Sequence, residues 1–194
     1  EVLVDAATLE VLRLRSPIRD QGSGMVYDPN PVVALQDPSL TDQGNANTTE
    51  LESARVSRAL QGLDDTGFLR GQFVDLTAPG IEGAYKNAGL ASEPGTLDFD
   101  YLRSDDRFEE VMAYYHVDFN QRYIQSLGFN DIFNRPIAVH AHYFAADNSF
   151  FSNADDGLHF GDGGVDDAED ADTIIHEYAH AIQNDQVPGF GTSA

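Results

Sequence analysis

In the stretch "TIIHEYAHAIQ", residues 173–183, His176 and His180 stand four residues apart, and Glu177 directly follows the first. An α-helix turns about 100° per residue, so positions four apart share a face, one turn above the other. Both imidazoles can then address one metal ion at Zn–N distances of about 2.0–2.1 Å. Glu177 is rotated off that line. It cannot easily join the same ligand shell, but it can reach a water held there. It would take that water's proton as general base, the metal having lowered the water's pKa toward about 7. Each position of H-E-x-x-H thus has a mechanical reason. At this chain's His and Glu frequencies, a chance occurrence has odds of about 1 in 100.

The elements that must carry these residues follow from periodicity. A helix is expected from Asp170 or Asp172 to about Asn184, ended by Val187-Pro188-Gly189. Ile175, Tyr178, Ala179 and Ile182 form its expected core stripe, with the histidines at the stripe's edge against a cleft. Asp166, Asp167, Glu169, Asp170 and Asp172 suit the positive end of the helix dipole. Upstream, Phe108, Val111, Met112, Tyr115, Phe119, Tyr123 and Leu127 recur at steps of three and four, which predicts a long helix buried along one face. Asp106 with Glu109 suits a capping box at its start, and Gly128-Phe129 a cap at its end. "RPIAVHAHYFA" reads as a strand, and "DNSFFSNADDGLHFGDGG" as an edge segment, a loop and a short strand ending in glycines. His140 and His142 would share a face of the first strand. They, with His116 and His159, read as partly buried or hydrogen-bonded histidines in preference to ligands.

The N-terminal half has a different character. Residues 1–20 alternate on both sides of "DAAT", a strand, turn and strand. Residues 21–50 are rich in Gly, Pro, Asn and Asp and read mostly as loop, with a short apolar stretch at Val32, Val33 and Leu35. Residues 54–76 look like a hairpin turning at Asp64–Gly67, and residues 77–100 show no clear period. Strands come first and helices later, so the expected class is α+β: a β-rich N-terminal region, residues 21–100, then a mixed helix and strand half-domain, residues 101–194, ending in the H-E-x-x-H helix.

Composition narrows the chemistry. The net charge is −22 and Lys86 is the only lysine, a surface that repels phosphate backbones and disfavours nucleic acid as a partner. There is no cysteine, so any metal must use His, Asp, Glu or water. No apolar run approaches the roughly 18 residues of a membrane span. The chain starts at Glu1 and carries no signal peptide, which reads as a processed protein with any targeting segment removed. The acids suit solubility, and some of them could bind Ca2+.

With these pieces in place, "DTIIHEYAHAIQ" resembles the active-site helix of the gluzincin zinc metallopeptidases, the group of thermolysin and fungalysin. "DNSFF" followed by "LHFGDGG" resembles that family's edge strand and the turn before the helix, and "MAYYHVDFNQRYIQSLGF" the helix preceding the edge strand. The resemblance covers about residues 100–194, in the same order, and is nearer to fungalysin-like bacterial proteins. It implies a zincin-like half-domain, a secreted endopeptidase, Zn2+ held by His176 and His180, and Glu177 as general base. It implies that Asn148 and the backbone of Ser149 pair with a peptide or protein substrate, with Phe150 lining a side-chain pocket. Asp172 falls where some relatives hold calcium. "EVLVDAATLEVL" is similar to the tail hairpin of propeptide domains, which makes residues 1–20 a candidate propeptide remnant.

The resemblance also implies a third zinc ligand, a glutamate on a later helix beyond residue 194. The residues after His180 offer one acid, Asp185, too near the helix end to fold back. The expectation is therefore an incomplete centre, inactive by itself. Three other readings stay open: a third ligand from upstream, such as Asp147, Asp156 or His159; a non-enzymatic binding module; and an extracellular calcium-binding module.

Overall fold

The apolar residues of "RFEEVMAYYHV" lie on every side of their helix, and the computed structural model shows why. It describes residues 2–4, 11–14, 21–40, 44–80 and 90–189. In it the long helix, Arg107–Ser126, runs through the middle of the molecule. Its first three turns bury Phe108, Val111, Met112 and Tyr115, as expected, but also Ala113, Tyr114 and Val117 on the opposite side. A helix apolar all round is one covered all round. Phe119, Tyr123 and Leu127 leave the packed region and are more than half exposed, against the expected continuous stripe. Gly128, at φ 97°, ends the helix in the left-handed region, as expected.

The chain is α+β, with four helices and nine strands among the described residues. Strands β1 (Val2–Val4) and β2 (Val11–Leu14) pair antiparallel, matching the alternating runs; the "DAAT" turn lies outside the described residues. β3 (Gln21–Val26) falls in a stretch expected to be loop. It is followed by two short helices, α1 (Pro31–Leu35) and α2 (Thr49–Ala54), and by β4 (Val56–Gln61). The glycines that disguised β3 are there for close approach. A β-carbon on Gly24 would lie 2.5 Å from Val111 Cγ1, and one on Gly22 2.6 Å from the carbonyl of Leu97.

The hairpin expected over residues 54–76 does not form. β4 pairs with β3, whereas β5 (Val74–Asp75) joins a different sheet; an isolated bridge, Leu63 to Gly71, is what forms locally across the expected turn. Burial of Leu63, Leu69 and Phe73 separates the two segments: each residue is 0–1% exposed and anchors the chain as it crosses between sheets. β6 (Asp98–Phe99) completes the first mixed sheet, in the order β4-β3-β6. After the long helix, named α3, come β7 (Ile137–Phe144), β8 (Phe150–Ser152) and β9 (Gly157–Gly161), giving a second mixed sheet in the order β5-β7-β9-β8. A short 3-10 turn, Asp167–Glu169, leads into the last helix, α4 (Ala171–Gln186). No helix among the described residues is long and apolar enough to cross a membrane.

The capping box expected at α3 is absent. Asp106 is itself helical and makes no capping bond; Asp105 accepts from the Arg107 N–H at 3.1 Å instead. Glu109 and Glu110 are both buried. Glu110 accepts the N–H of Ala91 at 2.6 Å, yet burial pushes its carboxyl up to about 7. The folded chain therefore binds this proton more tightly than the unfolded one does. Stability from it is full below the ordinary carboxyl range and lost as pH rises through about 7. Glu110→Gln should raise the melting temperature at pH 8, by up to about 3 kcal/mol of stability, and leave it unchanged near pH 4. Equal effects at both pH values would refute this account.

Candidate metal centre

Helix α4 starts one residue after its cap: the Asp170 carboxylate accepts from the Asp172 N–H at 3.2 Å and from the Asn30 side-chain amide at 3.0 Å. The helix then packs on α3 through Tyr178, whose hydroxyl donates to Gln121 Oε1 at 2.8 Å. Its buried face is Ala171, Ile174, Tyr178 and Ala181. This corrects the expected stripe of Ile175, Tyr178, Ala179 and Ile182. Tyr178 is shared, but Ala179 is exposed and Ile175 and Ile182 are only half-buried. The helix is rotated about one residue from the expected face, so that Ala171, Ile174 and Ala181 are buried with Tyr178.

That rotation decides how the three motif residues are presented. His176 and His180 are exposed, whereas Glu177 is 7% exposed, on the flank of the buried face. The two Nε2 atoms lie 3.2 Å apart, with the rings nearly perpendicular at 88°. Two nitrogens bound to one tetrahedral ion at about 2.0–2.1 Å would be separated by about 3.3 Å. The pair therefore has the spacing of a chelate without any side-chain movement.

The pair faces a cleft of about 500 Å3, whose other wall is the edge of the second sheet. Asn148, Ser149, Phe150, Phe151 and Asn153 line one side, and His176, Glu177, His180, Gln183 and Asn184 the other. All three residues expected at the substrate edge are thus brought to the histidines. β8 is the outermost strand of its sheet. The Ser149 hydroxyl donates to Asp167 at 2.5 Å, and the Phe150 ring stacks on Phe144 and His159. Phe151, missed by sequence reasoning, also faces the cleft, while packing against the core.

Behind this edge, β9 runs into the "GDGG" turn in backbone contact with the loop after β7. A β-carbon on Gly161 would collide with the carbonyl oxygen of Ala146, and one on Gly163 with the backbone of Ala146 and Asp147. The Asp162 N–H donates to the Phe144 carbonyl at 2.9 Å and the Gly163 N–H to that of Ala146 at 3.3 Å.

Among the described residues, no third His, Asp or Glu joins His176 and His180 within ligand distance of one another. Asp147, Asp156 and His159, the upstream alternatives, do not line the cleft. Asp156 pairs with Arg135, and His159 sits beside Asp155 at 3.1 Å. Asp185 is also engaged elsewhere, accepting the Phe133 N–H at 3.1 Å. Asp172 is exposed in the first turn of α4 and belongs to no group of three ligand-type residues among those described.

The remaining histidines are buried. His116 lies 2.9 Å from the Tyr27 carbonyl, and burial holds it below its ordinary range. His140 and His142 were expected to share a face. A register irregularity between His140 and Phe144 parts them. His142 turns to the start of α3, 2.6 Å from the Asp106 carbonyl and 2.8 Å from Asp162. Burial opposes its charge, but those two contacts prevail and raise its pKa. His140 stays beside its cross-strand neighbour His159.

A second cavity, about 460 Å3, lies at the far end of α4 and is lined by Asn30, Arg103, Asp166 and Glu169 among others. Carboxylate oxygens of Glu109, Asp166 and Glu169 lie within 4.8 Å of one another there. Arg103, 2% exposed, donates to Glu169 at 2.7 Å. Burial first, then the neighbouring acid, raises Glu109 well above the ordinary carboxyl range. A cation already supplied by the chain makes this a buried ion-pair cluster.

No protein-family model matches this chain, and comparison with curated proteins gave no match.

Proposed function

We propose that this chain carries part of the active centre of a secreted, zinc-dependent endopeptidase of zincin-like fold. The observation that carries the reading is the 3.2 Å separation of the His176 and His180 Nε2 atoms, on the cleft wall opposite β8, the outermost strand of its sheet among the described residues. Zinc, when bound, supplies the polarisation of the scissile carbonyl and a more acidic water. His176 and His180 would hold the ion, and Glu177 would accept a proton from water in the cleft. Its burial fixes the carboxylate and limits competing solvent. The free edge of β8 gives an extended peptide main-chain bonds, and Phe150 and Phe151 give its side chains an apolar wall. The gluzincin resemblance puts the third ligand on a later helix. Two imidazoles and water make a weak site, so these 194 residues alone should bind zinc weakly and cleave nothing. Calcium at Asp172 remains part of the same reading.

The test is a calorimetric Zn2+ titration of the chelator-stripped chain. A weak binding event that vanishes in His180→Ala is expected. An unchanged titration in that variant would overturn the assignment, as would robust, chelator-sensitive proteolysis by the 194 residues themselves.

A further inference from the structure

Three residues outside the cleft also bring ligand-type atoms together, within 4.8 Å of one another. His140 on β7 and His159 on β9 are cross-strand neighbours in a parallel pair, so their side chains leave the sheet on the same side. Their rings stack, with centroids 4.9 Å apart and planes at 25°. Asp155, in the turn joining β8 to β9, closes the group. Its Oδ1 lies 3.1 Å from His159 Nε2 and its Oδ2 3.8 Å from His140 Nε2. One ligand atom from each residue falls within 4.8 Å of the other two. Donors around one ion bonded at about 2.0–2.2 Å stand about 3.0–3.5 Å apart, so the three would draw together by up to about 1–2 Å to share an ion, leaving a fourth position to water.

We propose that His140, Asp155 and His159 hold a second divalent transition-metal ion, one that fixes structure. A hydrogen-bonded His–Asp pair would by itself explain the 3.1 Å contact. It does not explain the rest. Asp155 Oδ2 is buried without a hydrogen-bond partner, and a buried lone acceptor is costly to leave unmet. His159 is 0% exposed, and its Nδ1 is likewise buried without a partner. An ion at the centre of the three satisfies Oδ2 and turns an imidazole pair stacked in the interior into a ligand set.

The donor set names the class of ion. Two imidazoles and one carboxylate suit Zn2+, Co2+, Ni2+ or Fe2+; Ca2+ and Mg2+ take oxygen shells. The surroundings indicate a structural role. The rings of Tyr143 and Phe150 lie 4.1 Å and 4.7 Å from that of His159, an aromatic wall with little room for a substrate. The ion would tie β7, β9 and the β8–β9 turn together directly behind β8. This inference stands apart from the peptidase reading, because it uses none of the cleft residues except the Phe150 ring.

The test uses the chelator-stripped chain carrying His176→Ala and His180→Ala, two exposed positions, so that the cleft pair is silent. Co2+ is the probe. Visible d–d absorption saturating at one equivalent is expected, with a raised melting temperature, and adding Asp155→Asn should abolish both. Absence of bands and of any melting shift with Co2+, Zn2+ or Ni2+ would overturn the proposal, as would bands that survive Asp155→Asn. Should that variant fail to fold, the imidazole proton resonances of the double-alanine chain decide. Zn2+ must shift those of His140 and His159 and spare that of His116; unmoved resonances refute the site. Loss of metal binding in His180→Ala alone, with these signals intact, reports on the cleft and not on this site.

Discussion

If the proposed peptidase reading holds, Glu177→Gln should lower zinc-dependent peptide hydrolysis by about 10^2–10^4-fold, the range for loss of a positioned general base. Zinc affinity should stay close to that of the parent, because the proposed ligands are His176 and His180. The substitution changes one oxygen to an amide and keeps volume, which matters for a side chain only 7% exposed. The split between binding and turnover is the informative part. His176→Ala would lose both together and so cannot separate a ligand from a base. A Glu177→Gln protein with near-parental turnover would show that another group takes the proton. One with lost zinc binding would show that Glu177 is itself a ligand.

Arg103→Met should be the most destabilising single change outside the apolar core, by about 3–5 kcal/mol at pH 8. The guanidinium is buried with Glu169, and Glu109 and Asp166 crowd the same spot. Removing the cation takes from the buried Glu169 carboxylate the charge it is paired with. In a chain of this size the melting temperature should fall by roughly 10 °C. The loss should shrink toward pH 5. Burial raises the Glu169 pKa, with Arg103 opposing it, so without the arginine Glu169 takes up a proton earlier as pH falls. Thermal melts at the two pH values check both statements. A pH-independent loss would mean that Arg103 acts by packing alone.

What could be seen in the sequence was whatever depends on spacing along one segment. H-E-x-x-H needs only the pitch of a helix to bring two imidazoles together, and α4 begins and ends within two residues of the expected limits. The β8 edge was legible because "DNSFF" and "GDGG" bracket it. Partners distant in the chain were not. Arg103 and Glu169 are 66 residues apart, and nothing near either names the other. His140 and His159 meet only through the β7–β9 register, which periodicity cannot supply. The rotation of α4 escaped for a related reason. Ile175 and Ile182 are the more apolar choices, but the packing of α4 buries Ala171, Ile174 and Ala181 with Tyr178, and only tertiary contacts set that rotation. β3 was hidden because glycine signals a loop when read locally and a tight helix–strand contact when read in three dimensions.

The "GDGG" turn has a consequence for how such a cleft can diversify. Main chain rests on main chain where residues 161–163 meet residues 146–148, with no side chain between them to be exchanged for a larger or smaller one. The height of the rail beside the histidines is thus set by atoms common to all amino acids. Residues 150, 151 and 153 can be swapped to reshape the cleft wall while the rail keeps its distance from His176 and His180. The shape of the cleft wall and the placing of the histidines are, in this architecture, separately adjustable.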